Sequence, residues 1–397
     1  MMKAVIMAGG LGTRIASVAK DVPKPMIRIN GKPVLQYQIE NLRSNGIKDI
    51  TIVTGHLGHV IKDYFCDGSS FGVSIKYFTE DIPHGTAGAL FYMANLDEDF
   101  LLILGDILFD VDFDHFIHFH KKSNALATVI AHPNSHNNDC AVLVTKENVS
   151  SAANFAVTDT HIIKNWLSTD DERGTVRNLV NCGVHIIKPE LIGMAKKAFV
   201  PLRLDNPKFV DLDRNILKPF THTGRIIAYN TSEYLKDMGT PLRLEECEAD
   251  IKNGMFAGRS FSRIKKAVYI KKCLVTDNIE NSLSCGVLSA IRIINASPYL
   301  LQGYVLQTGN SSKLYQQDLK SDSILSDRGV FFDDVYYKRG FEFVSRNRNN
   351  IDLNESYFIY SCDEDLNDVD FSLFKKCVKL DSDYTLMNFV IDFIKSS

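Results

Sequence analysis

The sequence is poor in features that would place it outside the ordinary globular proteins. Its 397 residues include eight cysteines, none of them in C-x-x-C spacing, which argues against a structural zinc site. A disulfide framework is also disfavoured in a chain of this length, so we expect a reducing, cytoplasmic setting. No internal repeat or low-complexity tract is evident.

Long apolar runs and an excess of basic residues are missing as well. No stretch approaches the ~18 apolar residues of a membrane-spanning helix, and the N-terminal run AVIMA is too short for a signal-peptide core. The net charge of −3 provides no basic field for nucleic acid. We therefore expect neither a membrane nor a nucleic-acid partner, and any bound phosphate must be held by local groups.

Apolar segments alternate with amphipathic ones over the first 130 residues. The predicted strands are residues 3–8, 49–55, 73–78 and 100–106. Residues 33–46, which end at Gly46, and residues 86–96 have helical spacing. This alternation predicts an α/β fold with a mostly parallel sheet and helices on both faces.

The pattern changes after residue 125. Four apolar segments between 125 and 187 predict an added antiparallel portion, and helical stretches follow near 211–220 and 240–253. Alternation then restarts with strands AVYI, YLLQGYVLQ, SYFIY and CVKL and helices GVLSAIRIINA and YTLMNFVIDFIK. We therefore predict a domain of residues 1–255, a linker of residues 256–264 and a smaller α/β domain of residues 265–397.

A glycine-rich turn follows the first predicted strand directly in AGGLGTR. Gly9, Gly10 and Gly12 let the backbone approach a ligand closely, and consecutive N–H groups in such a turn form a concavity for anions. Thr13 adds a hydroxyl donor, and Arg14 adds a planar cation suited to phosphate oxygens. The plainer alternative is a tight turn with a surface arginine, because the segment matches neither the Walker pattern nor G-x-G-x-x-G.

A lysine between two prolines follows ten residues later, in DVPKPMIRINGKP. The prolines stiffen the backbone around Lys24 and would hold its ammonium group in one place. G-G-x-G-T-R followed by P-K-P resembles the sugar-1-phosphate nucleotidyltransferases. The resemblance continues in order through PHGTAGAL, LGD, NCGVHI and KDMGTP, and it covers roughly residues 1–255.

Within that superfamily, the sequence is most similar to the heptose-1-phosphate guanylyltransferases, through AHPNSH, RNLVNCGVHI, VDLDRNILKP and YLKDMGTP. The resemblance implies a Rossmann-like, GT-A-like mixed-sheet domain that joins a nucleoside triphosphate, here GTP, to a sugar 1-phosphate, here a heptose, and releases pyrophosphate. It implies catalytic roles for Arg14, Lys24 and Asp106, and a Mg²⁺ ion held by Asp106 and Asp237. It assigns the nucleotide to Ala8, Gly9, Gly10, Gly12, Thr13, Gly85 and Thr86.

The resemblance is less complete for the residues that would contact the sugar phosphate. Asn181 matches a sugar contact, but the family's second lysine, which meets the sugar phosphate, aligns with Thr169. Lys164, Arg173 and Arg177 are the candidates to replace it.

A second resemblance covers KKAVYIKKCLVTD and the segments that follow it. It is similar to the haloacid-dehalogenase-like phosphatases, and most of all to heptose-bisphosphate phosphatases. The two catalytic aspartates of that family correspond to Lys271 and Cys273, and its later Gly-Asp corresponds to Tyr360 and Ser361, while Asp365 matches its acidic loop. A lysine cannot form an acyl phosphate, so we predict an inactive, HAD-like domain.

Several alternatives stay open at this point. The chain is either a nucleotidyltransferase, a regulatory binding protein that has lost turnover, or a bifunctional transferase and phosphatase. The C-terminal domain is either an inactive phosphatase fold or an unrelated α/β domain. Its expected role is structural, through packing or homo-oligomer formation, and the rival role is binding of a phosphorylated ligand by Lys271 and Lys272.

Overall fold

The structure is a computed structural model. It describes residues 2–10, 22–94, 96–132, 141–145, 161–167, 179–199, 209–231, 233–252, 266–271, 285–297, 299–304, 325, 332, 334–336, 351–361, 369–381 and 385–396.

Eighteen strands and seven α-helices are described in these ranges. The strands are β1 Lys3–Met7, β2 Arg28–Ile29, β3 Lys32–Pro33, β4 Asp49–Thr54, β5 Ser74–Thr79, β6 Phe100–Leu104, β7 Ile107–Asp110, β8 Ala127–His132, β9 Val142–Thr145, β10 Ile163–Leu167, β11 Val180–Ile187, β12 Ile226–Asn230, β13 Tyr234–Asp237, β14 Lys266–Lys271, β15 Tyr299–Tyr304, β16 Asp334–Tyr336, β17 Tyr357–Ser361 and β18 Lys376–Leu380. The helices are α1 Val34–Ser44, α2 Gly58–Phe65, α3 Phe113–Lys122, α4 Pro189–Phe199, α5 Pro241–Lys252, α6 Cys285–Ala296 and α7 Leu386–Ser396.

The N-terminal part is built on a nine-stranded mixed sheet. Its main path runs β10-β9-β11-β6-β1-β4-β5, and β8 pairs with both β11 and β12. Strands β1, β4, β5 and β6 are parallel, whereas β11 is antiparallel to β6 and to β8. The predicted parallel portion and the added antiparallel portion are both confirmed, and together they form one sheet.

Alternating side chains divide the apolar core between the two faces of this sheet. Val5 and Leu102 belong to one buried cluster, which includes residues of α4 and of the segment after it. Ile6 and Ile103, one position further along each strand, belong to the other cluster, together with residues of α1, α2 and α3. Helix α1 ends as predicted, because Gly46 has a φ of +77°.

The prediction of a helix over residues 86–96 was wrong. Among its described residues, 86–94 and 96, the helical structure is limited to a 3-10 turn, Gly88–Phe91. The Ala87 N–H donates to the carbonyl of Val210, and the Thr86 hydroxyl accepts from the backbone of Leu212. The polar groups of residues 86 and 87, where the predicted helix would begin, are therefore hydrogen-bonded to a distant segment instead.

Residues 211–220 are helical but not α-helical. A π-helical turn, Leu212–Leu217, leads directly into a 3-10 stretch, Lys218–Thr223. The interior proline at position 219 has no N–H to donate to an α-helical ladder. Apolar spacing alone did not distinguish these helix types.

The C-terminal part contains a second sheet, in which all pairings are parallel. Its order is β16-β15-β14-β17-β18, so β14 is the central strand. The predicted stripe on α7 is buried, with Phe389 and Val390 at most 1 % exposed, in a cluster with residues of β14 and α6. The expected α/β character is confirmed here.

Across the parts of the chain that the structure describes, no helix is both long and apolar enough to cross a membrane.

Candidate active site

The candidate site lies where the parallel strands of the large sheet end. Strands β1, β4, β5 and β6 run in one direction, so the segments after them share one edge, where open α/β sheets bind their ligands. The glycine turn follows β1. There the Ala8 N–H donates to the carbonyl of Val53 at 2.9 Å, which ties the start of the turn to β4.

A buried carboxylate lies beneath the glycine turn. Glu80 follows β5, and its side chain is 5 % exposed. A Cβ atom on Gly9 would lie 2.9 Å from Glu80 Oε2, and Glu80 Oε1 lies 3.2 Å from Nδ1 of His84. The carboxylate therefore connects the turn after β1 with the segment that leads to Gly85.

Lys24 and Asp106 form an ion pair at the same edge. Lys24 begins a 3-10 turn between its two prolines, and Asp106 follows β6. The Lys24 Nζ donates to Asp106 Oδ2, while Oδ1 has no hydrogen-bond partner among the described residues. The two predicted catalytic groups in this part of the chain are thus in direct contact.

The glycine of the LGD segment makes this contact possible. The Gly105 N–H donates to the carbonyl of Met7 at 2.9 Å. A Cβ on Gly105 would lie 2.9 Å from that carbonyl oxygen and 3.0 Å from Cγ of Pro25. Only glycine lets the loop carrying Asp106 approach both β1 and the loop carrying Lys24.

Asp237 lies beside Asp106. Strand β13 is antiparallel to β7 with Asp237 opposite Ile107, and the Met238 N–H donates to the carbonyl of Asp106 at 3.1 Å. Both carboxylate oxygens of Asp237 accept from Nη1 of Arg243 at 2.9 Å. The arginine fixes the carboxylate, which stays 42 % exposed.

These two aspartates fit the chemistry of a magnesium site. Mg²⁺ prefers oxygen ligands, and at phosphate-transfer sites it takes one or two carboxylates together with substrate phosphates and water. Asp106 has an uncommitted oxygen and Asp237 is accessible. No group of three or more His, Cys, Asp or Glu side chains suited to a metal occurs among the described residues.

Gly85 and Thr86 hold a second segment against the edge. Gly85 has a φ of +91°, and a Cβ there would lie 2.5 Å from the carbonyl oxygen of Val210. The Val210 N–H donates to His84 at 2.8 Å, and the Leu212 N–H donates to the Thr86 hydroxyl at 2.9 Å. In this structure the Thr86 hydroxyl therefore positions the π-helical turn.

Asn181 belongs to a side-chain network with that turn. Its Nδ2 donates to Asp213 Oδ1 at 2.8 Å, and its Oδ1 accepts from the Gly183 N–H at 3.0 Å and lies 2.8 Å from Nε2 of His185. Burial lowers the pKa of His185 to about 4, and burial with the nearby charge of Asp211 raises the pKa of Asp213 to about 7. His185 is therefore neutral and donates through its Nε2–H.

The network adjoins the Lys24–Asp106 pair. A Cβ on Gly183 would lie 2.3 Å from Cδ1 of Ile107, the residue after Asp106. Together with the contacts above, and with Gly10 joined to Gly9 through the chain, this links all the predicted site residues in the described ranges except one. Lys164 is that exception: it is exposed on the edge strand β10, and β9 separates it from β11.

Other predicted residues lie outside the described residues. These are Gly12, Thr13, Arg14, Thr169, Arg173, Arg177, Lys272, Cys273 and Asp365, and the predicted linker of residues 256–264 lies there as well. Lys271 ends β14, the central strand of the second sheet, and the ring of Tyr360 on β17 lies 5.3 Å from that of Phe371.

Sequence reasoning missed Glu80, Asp213 and Arg243. Arg243 lies two positions after KDMGTP, in the first turn of α5. An arginine that close to Asp237 in the sequence could have been predicted to pair with its carboxylate. Asp213 lies in VDLDRNILKP, a segment that contributed to the resemblance without a role. Nothing in the local sequence marks Glu80, because its burial depends on the distant turn at Gly9.

The fold and the site together define an α/β protein with glycines after the first strand, a Lys–Asp ion pair and a second carboxylate at one sheet edge. The family model described as nucleotidyl transferase matches residues 3–253. The chain therefore belongs to the nucleotidyl transferase family.

Individual relatives agree with this assignment. A UTP–glucose-1-phosphate uridylyltransferase from Synechocystis is 32 % identical over 204 residues, which are 48 % of this chain and 50 % of that protein. A D-glycero-α-D-manno-heptose 1-phosphate guanylyltransferase from Campylobacter jejuni is 43 % identical over 112 residues, 28 % of this chain and 50 % of that protein. The chain thus spans half the length of these curated relatives.

A solved structure shows the same fold. The structure of a UDP-glucose pyrophosphorylase in complex with UDP-glucose superposes with a TM-score of 0.53 at 19 % identity. It covers 64 % of this chain and 99 % of that one. The Rossmann-like mixed sheet expected from the sequence is confirmed by this likeness.

Proposed function

We propose that this chain transfers a nucleotidyl group from a nucleoside triphosphate to a sugar 1-phosphate. The observation that carries the proposal is the Lys24–Asp106 pair, with Asp237 beside it, between the glycine turn and the Asn181 network. A phosphate oxygen of the sugar attacks the α-phosphorus, the bond to the bridging oxygen breaks, and pyrophosphate leaves with the electron pair. This step needs charge neutralisation and in-line positioning rather than a covalent intermediate.

Each group has a part in that step. The backbone N–H groups of the glycine turn and Arg14 hold the triphosphate, and the Lys24 ammonium neutralises charge on the transferred phosphoryl group. When bound, Mg²⁺ neutralises phosphate charge further, and Asp106 and Asp237 are the residues that would hold it. Arg243 keeps the Asp237 carboxylate in place.

We propose GTP and a heptose 1-phosphate as the substrates. The support is the 43 % identity to a heptose-1-phosphate guanylyltransferase, although the longer match is to a uridylyltransferase. A panel of GTP, UTP, ATP and dTTP against glucose, mannose and heptose 1-phosphates, read as pyrophosphate release, tests this choice. The proposal predicts the highest kcat/KM for GTP with the heptose, and a higher kcat/KM for any other pair contradicts it.

The regulatory alternative is disfavoured by what the site retains. A protein that only binds nucleotide has no need of two adjacent metal-binding carboxylates together with a lysine against one of them. Failure of every pair in the panel, with retained nucleotide binding, would favour the alternative.

We also propose that the C-terminal part is a phosphatase-like domain without phosphatase activity. Lys271 ends the central strand of a five-stranded parallel sheet, and ligand sites in such sheets lie beyond the carboxyl ends of the strands. A lysine there cannot serve as the carboxylate nucleophile, and its charge opposes a metal ion. A structural role, through packing or formation of a homo-oligomer, follows from this loss.

A further inference from the structure

Asn181 has almost no free hydrogen-bonding capacity. Its side-chain oxygen accepts from both the Gly183 N–H and the His185 ring, and one of its two N–H groups donates to Asp213. A side-chain amide has two lone pairs and two N–H groups, so one N–H remains. Asn181 can therefore meet a ligand only as a hydrogen-bond donor.

Asp213 supplies the complementary group. Its Oδ1 accepts from Asn181, and its Oδ2 has no hydrogen-bond partner among the described residues. Both residues are half-buried, so they are accessible while largely surrounded by protein. The pair presents one donor and one carboxylate acceptor side by side.

This donor–acceptor pair is fixed from both sides. The π-helical turn that carries Asp213 is held by the Thr86 hydroxyl through Leu212, and Asp211 accepts from the Arg214 N–H at 2.8 Å to cap it. On the other side, the fully buried His185 holds the Asn181 oxygen. A pair fixed in this way costs little ordering entropy when it binds a ligand.

From this geometry we infer that Asp213, with Asn181, selects the sugar by binding one ring hydroxyl or two adjacent ones. A hydroxyl both donates and accepts, so it can accept from the Asn181 N–H and donate to Asp213 Oδ2. The inference rests on the proposed function and adds a residue that determines acceptor specificity. Buried polar groups left unpaired are the reason such a site rejects a substrate that lacks the hydroxyl.

The raised pKa of Asp213 is consistent with this role. A carboxyl group that is partly protonated near neutral pH both accepts and donates, so it can bind a hydroxyl in either orientation. The opposing influences on this pKa are the Asn181 hydrogen bond and the nearby charge of Arg214.

The test compares Asp213→Asn with Asp63→Asn. The control makes the same change of a carboxylate to an amide on the exposed surface of α2, outside the Asn181 network. Steady-state pyrophosphate release is measured with mannose 1-phosphate and its monodeoxy analogues. Calorimetric binding of the same sugar phosphates is measured in parallel, so that recognition is read without turnover.

The expected result is specific to the acceptor. Wild type and Asp63→Asn discriminate against at least one deoxy analogue by about 10- to 100-fold, and Asp213→Asn reduces that discrimination to less than about threefold with an unchanged KM for the nucleotide. Unchanged discrimination in Asp213→Asn, even with a lower Tm, overturns the inference and leaves a structural role. Discrimination seen in binding but without pyrophosphate release supports the inference and contradicts the proposed function.

Discussion

Lys24 and Asp106 are 82 positions apart in the chain, yet their side chains form an ion pair where the parallel strands end. Gly105 permits this approach, and the pairing of β7 with β13 brings Asp237 next to it. The Lys24 ammonium group, two carboxylates and the glycines that follow β1 are thereby placed at one edge of the sheet.

Removing the charge of Asp106 should affect catalysis more than folding. Asp106→Asn keeps the side-chain shape but loses the charge that pairs with Lys24 and that, under the proposed function, would hold Mg²⁺, so kcat should fall by about 100-fold or more. Asp63→Asn, on the exposed surface of α2, is the control and should stay within about twofold of wild type. Retention of more than half of kcat in Asp106→Asn would contradict the assigned role.

Gly105→Ala should separate the two loops of the site. The added methyl would meet the Met7 carbonyl and the Pro25 ring, neither of which is a flexible side-chain end, so we expect a loss of about 1–3 kcal/mol in the free energy of unfolding. Gly193→Ala is the matched control, because a Cβ there meets nothing within 4 Å on a helix and should stabilise slightly. Equal unfolding midpoints in denaturant for the two variants would refute the close-approach argument.

His185 should make stability depend on pH in the acid range. The unfolded chain takes up a proton at this histidine near pH 6.5, whereas burial in the folded chain lowers the pKa of His185 to about 4. The free energy of unfolding therefore falls as pH drops from 6.5 towards 4, by about 3 kcal/mol at most from this group. His185→Gln keeps an N–H for Asn181 but does not titrate, so its stability relative to wild type should rise over that interval. A difference between the two proteins that is constant from pH 7 to 4 would disprove this assignment.

The C-terminal part should release no phosphate from a sugar bisphosphate. Lys271 occupies the position that the phosphatase resemblance gives to the nucleophile. Lys271→Asp alone should not restore activity, because the residues at the positions of the other catalytic groups are also changed and these groups are needed together. Phosphate release by the full-length wild-type chain, above that of a mock preparation, would show that the domain is active.

Much of the fold was predictable because strands buried in a parallel sheet carry a continuous apolar signal. The strands at residues 3–8, 49–55 and 100–106 were placed within two residues of their observed ends. The helix expected at 86–96 was not formed, since Thr86 and Ala87 bond to residues 210–212, more than 120 positions away. Apolar periodicity contains no information about such contacts.

The same limit applies to the site. Lys24, Asp106 and Asp237 were predicted through family motifs, and the structure places them together. Lys164 was predicted as a sugar-phosphate contact from its place in the chain, and it lies exposed on an edge strand. The role of Asp213 depends on counting the hydrogen bonds of Asn181, which requires coordinates.

Transfer of label from a nucleoside triphosphate is a direct measurement of the proposed nucleotidyl transfer. The full-length chain is incubated with GTP labelled at the α-phosphorus, a heptose or mannose 1-phosphate and Mg²⁺, and the products are separated. We expect the α-label to enter a nucleotide sugar and label at the γ-phosphorus to appear in pyrophosphate. EDTA should abolish both, and Asp106→Asn should slow both by about 100-fold or more. The proposed transfer would be contradicted if the label stayed in the nucleoside triphosphate for every nucleotide and acceptor pair. Transfer at the full rate in excess EDTA would contradict the role of the metal ion.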